Sequence, residues 1–561
     1  MAEAAKLSSA EGIKADSDYL RGTIVEELAN DQDSFAKDTT QVLKHHGMYQ
    51  QDNRDARGSA SGKAFSMMVR VKVPGGVLTS EQFVTQLDLC DEFGNATLRL
   101  TDRQAIQFHG VLKRNVREHL RRVNAVQLTS LGACGDVQRN VLCCPAPLDR
   151  NGIRRQMQHT ARSISDAFLP KTRAYHEIWL GDPATGQREL VNAEGQVEPV
   201  YGKTYLPRKF KVAMALPEDN CVDVHANDLG LLAIHDGSRL SGYNVLIGGG
   251  MGMTPSNKRT FPCVSQPMTF VTPEQVLAIV EAMLKVHRDH GNREDRKRAR
   301  LKYVLADHGM EWVKQQAEGH FGGRLPDPRP VAVHEVDDHL GWHEQGAGRW
   351  FYGLNIENGR VLDRDGMTLK SALKEICRTL RPGIRLTALQ SVLFVDLGES
   401  DRPVLEEILA RHGIRRTEAY STVRRWSMAC VALPTCGLAV TESERALPKV
   451  MTALEEELRA MGLEGERFAT HMTGCPIGCA RPYTCDVGLS GRTVGKHAIY
   501  LGGSVLGNRL GFLYKDLVPV DEIVATLLPV FQCFKAQRRP GESLGDFCHR
   551  LGPEGLAVAT A

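Results

Sequence analysis

Two pairs of cysteines in the last third of the sequence carry the strongest chemical signal. Cys430 and Cys436 are separated by five residues, and Cys475 and Cys479 by three. Thiolates are soft ligands that suit zinc, copper and iron–sulfur clusters, and four of them match the ligand demand of one cluster. Paired zinc knuckles usually have two residues between their cysteines, so these spacings favour an iron–sulfur cluster. From the cysteines alone, a zinc-binding structural protein remains an open alternative.

The residues around the second pair are compatible with a cluster. Gly474, Pro476 and Gly478 allow a tight turn that brings amide N–H groups near sulfur, where they tune a cluster's potential. The chain has 14 cysteines in 561 residues and no signal-like N-terminus, which favours reduced thiols or metal ligation over disulfides. Cys144 and Cys485 stay unassigned, although Cys485 is expected to be structural because four cluster ligands are already present.

A pair of lysines is the second candidate for chemistry. Lys209 and Lys211 alternate on a predicted strand with Phe210 facing away, so both ammonium groups can point into one cavity. The competing interpretation is an ordinary solvated basic strand. Because the formal net charge is only +3 over the whole chain, nothing indicates general nucleic-acid binding.

Length and composition indicate a large globular protein. A chain of 561 residues predicts roughly three or four compact units. No run of about 18 apolar residues occurs, so no membrane span is predicted. Residues 1–17 lack the apolar core of a signal peptide, and a cytoplasmic location is expected.

The elements that must position these side chains show an internal repeat. Arg, Leu, Thr, Gln and Phe in residues 98–108 recur at the same offsets in residues 384–394. Each copy follows a predicted strand and a predicted helix, which indicates duplication of a strand-helix-strand unit. The preceding elements are strands 67–73 and 350–356 and helices 80–91 and 369–380. Ser80 is the predicted N-cap of the first helix.

The two copies differ on one face of the last strand. The first copy has polar residues where the second has apolar ones. These are Arg103, Gln107 and His109 in the first copy, and Leu389, Leu393 and Val395 in the second. Because alternate strand positions share a face, the first copy is predicted to form a site and the second a scaffold.

With these motifs, the sequence resembles the sulfite and nitrite reductase family, which couples a [4Fe–4S] cluster to sirohaem. The likeness covers almost the whole chain, from residues 17–23 to residues 541–547. Its most specific segments are 98–110, 139–143, 205–211, 291–297 and 473–476.

The resemblance implies a role for each candidate site residue. The implied cluster ligands are Cys430, Cys436, Cys475 and Cys479, with the Cys479 sulfur also bound to the sirohaem iron. The implied substrate-binding residues are Arg70, Arg139, Lys209 and Lys211. The implied macrocycle-binding residues are Arg99, Arg103, Gln107, His109 and Arg208.

The activity implied by the resemblance is six-electron reduction of sulfite to sulfide in sulfate assimilation and cysteine biosynthesis. Reduction of nitrite to ammonia with ferredoxin is the alternative, and the two lysines together with the near end-to-end match favour sulfite. No flavin or nicotinamide motif is evident. Electrons are therefore expected from a partner, either an NADPH-dependent flavoprotein subunit or a ferredoxin.

The implied fold is α+β, with three domains and a pseudo-twofold duplication of ferredoxin-like halves. Compact structure is predicted to begin near Ala64. The predicted divisions are an N-terminal arm (1–63), a ferredoxin-like half (64–131), an α+β sirohaem-binding domain (132–334), a second ferredoxin-like half (335–414) and an α+β [4Fe–4S]/sirohaem domain (415–561).

Overall fold

The computed structural model of the chain describes residues 7–57, 62–148, 151–172, 174–175, 179–181, 185, 188–190 and 198–560. The helices in these ranges are α1 (Ser9–Ala15), α2 (Ile24–Leu28), α3 (Lys37–Leu43), α4 (Ser80–Glu92), α5 (Val116–Ala125), α6 (Ile153–Ala167), α7 (Val276–His290), α8 (Leu301–His308), α9 (Met310–Phe321), α10 (Leu369–Thr379), α11 (Asp401–Arg411), α12 (Thr422–Arg425), α13 (Leu447–Ala460), α14 (Ile523–Gln537) and α15 (Leu544–Ala559). None of the helices in the described ranges has both the length and the apolar character needed to span a bilayer.

The strands form four five-stranded sheets and two small hairpins within the described residues. They are β1 (Met48–Asp52), β2 (Phe65–Val71), β3 (Val77–Leu78), β4 (Leu98–Leu100), β5 (Ile106–Val111), β6 (Gln138–Cys143), β7 (Trp179–Gly181), β8 (Arg188–Leu190), β9 (Phe210–Ala215), β10 (Leu229–His235), β11 (Leu240–Ile247), β12 (Gln266–Val271), β13 (Gly341–Gly346), β14 (Arg349–Leu354), β15 (Arg360–Val361), β16 (Asp363–Arg364), β17 (Met367–Thr368), β18 (Gly383–Leu386), β19 (Val392–Leu397), β20 (Ser427–Ala429), β21 (Thr470–Thr473), β22 (Val487–Thr493), β23 (Lys496–Leu501) and β24 (Phe512–Pro519).

Two of the sheets confirm the predicted duplication. The first sheet has the order β1-β2-β5-β4-β15 and the second has the order β13-β14-β19-β18-β3. Each half contributes a two-residue strand to the other: β3 pairs with β18, and β15 pairs with β4. Helices α4 and α10, one from each half, also contact each other. The two ferredoxin-like halves therefore form one interlocked unit.

Compact structure begins well before Ala64, earlier than the sequence predicts. Leu20 and Leu43 are fully buried, and β1 pairs with β2 in the first sheet. In α1, the buried Lys14 ammonium donates to the carbonyl of Leu206, 2.7 Å away, immediately before the Arg208–Lys211 segment. The prediction that order begins near Ala64 is wrong because this polar-looking segment buries its few apolar side chains against the first half.

The first long helix begins at Ser80 as predicted, but its N-cap lies one residue earlier. Its N-cap is Thr79 rather than Ser80: the Thr79 hydroxyl accepts from the Gln82 amide N–H, and the Gln82 side chain accepts from the Thr79 N–H. This reciprocal capping box satisfies two otherwise unpaired helix donors, which a lone Ser80 cap does not do.

The other two large sheets have the same topology as each other. One has the strand order β6-β9-β10-β11-β12 and the other β20-β21-β22-β23-β24. In both, the first three strands are parallel and the last two are antiparallel. The duplication therefore extends beyond the ferredoxin-like halves to the two α+β domains, which the sequence comparison did not reveal.

Candidate functional site

The four motif cysteines lie at the carboxyl ends of two neighbouring parallel strands. Cys430 directly follows β20, while Cys475 and Cys479 follow β21. Carboxyl ends of parallel strands meet at the same edge of a sheet, which explains why segments 45 residues apart converge. Cys436 reaches the same place through the loop after Cys430. The structure thus brings together the four residues that the sequence singled out.

Gly474, directly before Cys475, has no room for a side chain. A Cβ atom on Gly474 would lie 2.5 Å from the Cβ of Ala432 and 2.5 Å from the carbonyl oxygen of Thr441. The Gly474 N–H points at the Cys430 sulfur, 3.3 Å away. This arrangement agrees with the prediction that small residues bring amide groups close to sulfur.

The four thiols influence one another electrostatically. Burial raises the pKa of Cys430 to about 12, with a further contribution from the Cys479 sulfur. Burial and the Cys479 sulfur also raise the pKa values of Cys436 and Cys475. Cys479 is the exposed member of the set, whereas Cys475 is buried and the other two are partly buried. One sulfur is therefore open to a second group beside the other three.

Three of the predicted substrate residues lie close enough to the Cys479 sulfur to interact with its charge. The sulfur interacts electrostatically with Arg70 on β2, with Lys209 immediately before β9 and with Lys211 on β9. Phe210 between the two lysines is fully buried on the opposite face, as the strand alternation predicted. Arg139, on β6 beside β9, is held by the carbonyls of Gly135 and Ala133 at 2.7 and 3.1 Å.

The crowded positive charge perturbs the lysines. Burial lowers the pKa of Lys211 to about 7, and Arg103 and Arg300 lower it further. Burial also holds the pKa of Lys209 well below its ordinary value, assisted by Lys211 and Arg300. Such cations gain from an anionic ligand that neutralises their mutual repulsion.

The predicted macrocycle residues come from the first ferredoxin-like half and the adjoining strand. Arg103 donates to the Asn227 side chain at 2.8 Å and to the Asn140 carbonyl at 2.6 Å. With the Gln107 amide oriented so that its oxygen faces Arg70, that oxygen accepts from Arg70 Nε at 3.2 Å. His109 Nδ1 donates to the side-chain oxygen of Gln51, 3.2 Å away.

Arg99 and Arg208 are more fully engaged with protein groups. Arg99 forms an ion pair with Glu444 at 3.0 Å and donates to the carbonyl of Ala429, the residue before Cys430, at 2.6 Å. Arg208 lies 3.8 Å from Asp136. Both residues border the site, and their contact with a macrocycle stays a prediction.

Two further arginines at the site were missed in the sequence. Arg300 forms two hydrogen bonds of 2.7 Å with the buried carboxylate of Asp228, which also accepts from the Lys211 N–H. Arg481, two residues after Cys479, pairs with Asp223 at 2.8 Å. The position of Arg481 beside a predicted ligand was an available signal, whereas Arg300 carried none.

The donor sets fit the two groups that the sequence resemblance implies. Four thiols suit a [4Fe–4S] cluster, and among the described residues the ligand atoms that lie within 4.8 Å of one another belong to a different group. The motif cysteines are therefore spaced more widely than ligands of a single ion. Within the described part of the chain, Arg103 Nε and His109 Nε2 are buried without a hydrogen-bond partner. The unpaired Arg103 N–H and the neighbouring cations match the carboxylates of a sirohaem.

Comparison with known proteins identifies related chains. The family model described as "Nitrite/Sulfite reductase ferredoxin-like half domain" matches residues 61–126 and again residues 343–412. The model described as "Nitrite and sulphite reductase 4Fe-4S domain" matches residues 160–325, a range that does not include the motif cysteines. The double match agrees with the two interlocked halves.

Similar curated proteins span nearly the whole chain. The "Sulfite reductase [NADPH] hemoprotein beta-component" of Staphylococcus saprophyticus is 42% identical over 98% of this chain and 96% of its own. The protein of the same name from Myxococcus xanthus is 44% identical over 97% of each chain.

A solved structure supports the fold. The structure of the Mycobacterium tuberculosis NirA protein superposes with a TM-score of 0.79 over 98% of both chains, at 23% identity. With near full-length relatives above 40% identity, repeated half domains and a shared fold, this chain belongs to the nitrite and sulfite reductase family.

Proposed function

We propose that this chain is the haemoprotein component of an assimilatory sulfite reductase and reduces sulfite to sulfide. The observation that carries the proposal is the exposed sulfur of Cys479, which interacts electrostatically with Arg70, Lys209 and Lys211 and lies beside three further cysteines. The relatives reported above are named as sulfite reductase components, which favours sulfite over nitrite.

The proposed reaction consumes six electrons and six protons for each sulfite. SO₃²⁻, six H⁺ and six electrons yield S²⁻ and three water molecules. When bound, the [4Fe–4S] cluster supplies an electron store and the sirohaem an iron to which the sulfur of sulfite can bind. The cluster would be held by Cys430, Cys436, Cys475 and Cys479, and Cys479 would also hold the haem iron.

The cations of the chain bind and orient the anion. Arg70, Arg139, Lys209 and Lys211 lie on or directly beside β2, β6 and β9, and their proposed role is to surround the oxygen atoms of one small anion. A partly desolvated cation at about 4 Å from a unit negative charge gains about 4 kcal/mol at intermediate dielectric, as an upper limit. Fully deprotonated sulfite is a dianion, so these cations stabilise it by more electrostatic free energy than they do the nitrite monoanion.

The lysines also hold protons that can be transferred. Because burial lowers the pKa of Lys211 to about 7, its ammonium is a far better acid than an exposed lysine. Donation from Nζ to an oxygen of the substrate would assist loss of that oxygen as water. Lys209, whose pKa is also lowered by burial, can do the same from the adjacent position.

The arginines of the first half position the macrocycle. Arg103 has a buried Nε without a partner among the described groups, and the Arg guanidinium can pair with a carboxylate through two hydrogen bonds. Gln107 orients Arg70 through its amide oxygen, so it links the macrocycle side of the site to the substrate side. Arg99, Arg208 and His109 complete the proposed set.

The electron donor is proposed to be an NADPH-dependent flavoprotein subunit, with the complex in the cytoplasm. The names of the relatives specify NADPH and a beta component, which supports this donor over a ferredoxin.

Steady-state assays test the substrate and the donor together. The iron-loaded protein is assayed with sulfite and with nitrite, each driven by a reduced flavoprotein subunit with NADPH and by reduced ferredoxin. We expect a kcat/KM for sulfite at least tenfold above that for nitrite, with the flavoprotein as the better donor. A higher kcat/KM for nitrite would overturn the substrate assignment, and faster turnover with ferredoxin would overturn the donor assignment.

A further inference from the structure

A second group of metal-ligating side chains lies apart from the motif cysteines. Cys144, Asp219, Cys221 and His339 are all buried, and one ligand atom from each lies within 4.8 Å of the other three. The sequence interpretation left Cys144 unassigned. These residues come from three distant segments, separated by 75 residues between Cys144 and Asp219 and by 195 between Cys144 and His339.

The distances within this group approach those of a tetrahedral zinc site. The Cys144 sulfur lies 3.6 Å from His339 Nε2 and 2.9 Å from Asp219 Oδ2. His339 Nε2 lies 3.1 Å from the same carboxylate oxygen. Tetrahedral zinc with ordinary bond lengths separates a sulfur from a nitrogen ligand by about 3.6 Å and a nitrogen from an oxygen ligand by about 3.3 Å. Small shifts of Asp219 would complete the geometry.

The orientation of the ligands is fixed by their backbones. The other oxygen of Asp219, Oδ1, accepts from the Cys221 N–H at 3.2 Å, which leaves Oδ2 facing Cys144 and His339. His339 has a φ of 58°, a left-handed conformation that costs energy for residues other than glycine and persists where the surroundings require it. Its Nδ1 lies 3.8 Å from the carboxylate of Asp337, on the side away from the group. This separation exceeds hydrogen-bond distance, and His339 Nδ1 has no hydrogen-bond partner among the described residues.

The charge around the group suits a divalent cation. Two thiolates and one carboxylate around a divalent ion leave a net charge of about −1. The guanidinium of Arg154 compensates for this charge, since its Nη1 lies 2.7 Å from the Cys144 sulfur and 2.7 Å from Asp219 Oδ2. Arg154 also lines a cavity of about 360 Å³ together with Leu148 and Glu218.

The position of the group repeats that of the motif cysteines. Cys144 directly follows β6, and Asp219 and Cys221 follow the parallel neighbour β9. In the sheet of identical topology, Cys430 directly follows β20 and Cys475 follows its parallel neighbour β21. Both copies of the α+β domain therefore place thiols at the carboxyl ends of their first two strands.

From this geometry we infer that Cys144, Asp219, Cys221 and His339 bind one structural zinc ion. Soft thiolates combined with imidazole and carboxylate in a closed four-ligand set suit zinc among the common divalent metals. Only Leu340 separates His339 from β13. The ion would therefore link the sheet that contains β6 and β9 to the second ferredoxin-like half. The site is independent of the cluster and of the proposed reaction.

Metal analysis of the purified, iron-loaded protein tests the inference. The wild-type chain is grown with zinc in the medium, treated with a chelator such as EDTA, and analysed for zinc and iron by mass spectrometry. We expect about one zinc ion per chain to survive the treatment. The variants Cys144→Ser and His339→Ala should contain at most one tenth as much zinc, with their iron content unchanged. Cys377→Ser, at a buried cysteine in α10, is the matched control and should retain zinc.

The wild-type measurement decides the question even where a variant fails to fold. A wild-type chain with its iron but with less than one tenth of a zinc ion overturns the inference. So does a disulfide between Cys144 and Cys221, detected by peptide mass analysis of the protein prepared without reductant. Zinc that persists in both variants would equally contradict it, because the ion would then lie elsewhere.

Discussion

Replacing Lys211 with methionine isolates one cation of the proposed substrate site. The change keeps the length and apolar stem of the side chain and removes the ammonium that lies near the Cys479 sulfur. A hydrogen bond to a charged group contributes about 1.5–3 kcal/mol, so kcat/KM for sulfite should fall about ten- to a hundredfold. The Coulomb energy of a pair at 4 Å, about 4 kcal/mol at an effective dielectric of 20, sets the upper limit.

The charge of the substrate gives this prediction its specificity. Nitrite carries one negative charge, whereas fully deprotonated sulfite carries two, so Lys211→Met should reduce kcat/KM for sulfite more than for nitrite. Lys203→Met, at an exposed lysine of the same segment, is the matched control and should leave both values unchanged.

A conservative variant separates binding from proton transfer. Lys211→Arg keeps the positive charge but not an acidic ammonium, so KM for sulfite should stay near the wild-type value while kcat falls. Steady-state kinetics with both substrates, at several pH values between 6 and 9, provide the measurement. If Lys211→Met behaves like Lys203→Met, the placement of Lys211 at the substrate is wrong.

Two further predictions concern the cluster loop and a buried lysine. Gly474→Ala should cut the iron content at least twofold and weaken the visible absorption, because its Cβ would lie 2.5 Å from the Thr441 carbonyl oxygen. The control Gly437→Ala, at a position with open space around it, should retain the iron content and the visible absorption. Burial lowers the pKa of Lys72 to about 7, so above pH 7 the unfolded state binds the extra proton and stability rises with pH until the unfolded pKa is reached. Relative to Lys72→Met, the wild type should therefore gain about 2 kcal/mol between pH 7 and pH 9, and a difference in thermal midpoint that does not change with pH would refute this.

The parts of the fold that the sequence predicts are those with strong local patterns. The duplicated strand-helix-strand unit was recognisable because β4 and β5 repeat the residue types of β18 and β19. The exchanged strands β3 and β15 were not predictable, since two residues carry no periodicity and pair only when both halves are present. The ordered N-terminal segment was missed because its packing depends on a few residues such as Leu20 and Leu43.

The candidate site also contains some residues that local sequence patterns predict and others that they do not. The four motif cysteines lie in two short segments, and their convergence follows from one pair of parallel strands. Arg300 was missed because its role depends on Asp228, which lies 72 residues away in the sequence. The group containing Cys144 and His339 depends on a still longer separation, 195 residues, and no local pattern reports it.

The central claim is that the Cys479 sulfur joins the cluster to the haem iron, and iron content with the optical spectrum tests it most directly. The wild type should contain about five iron atoms per chain and absorb strongly in the visible. Cys479→Ala should lose haem absorption, part of its iron and all sulfite turnover. Cys485→Ala is the control, because the buried Cys485 thiol donates to the Val487 carbonyl at 3.2 Å, and it should keep all three. A Cys479→Ala protein with unchanged iron, spectrum and turnover would contradict the account.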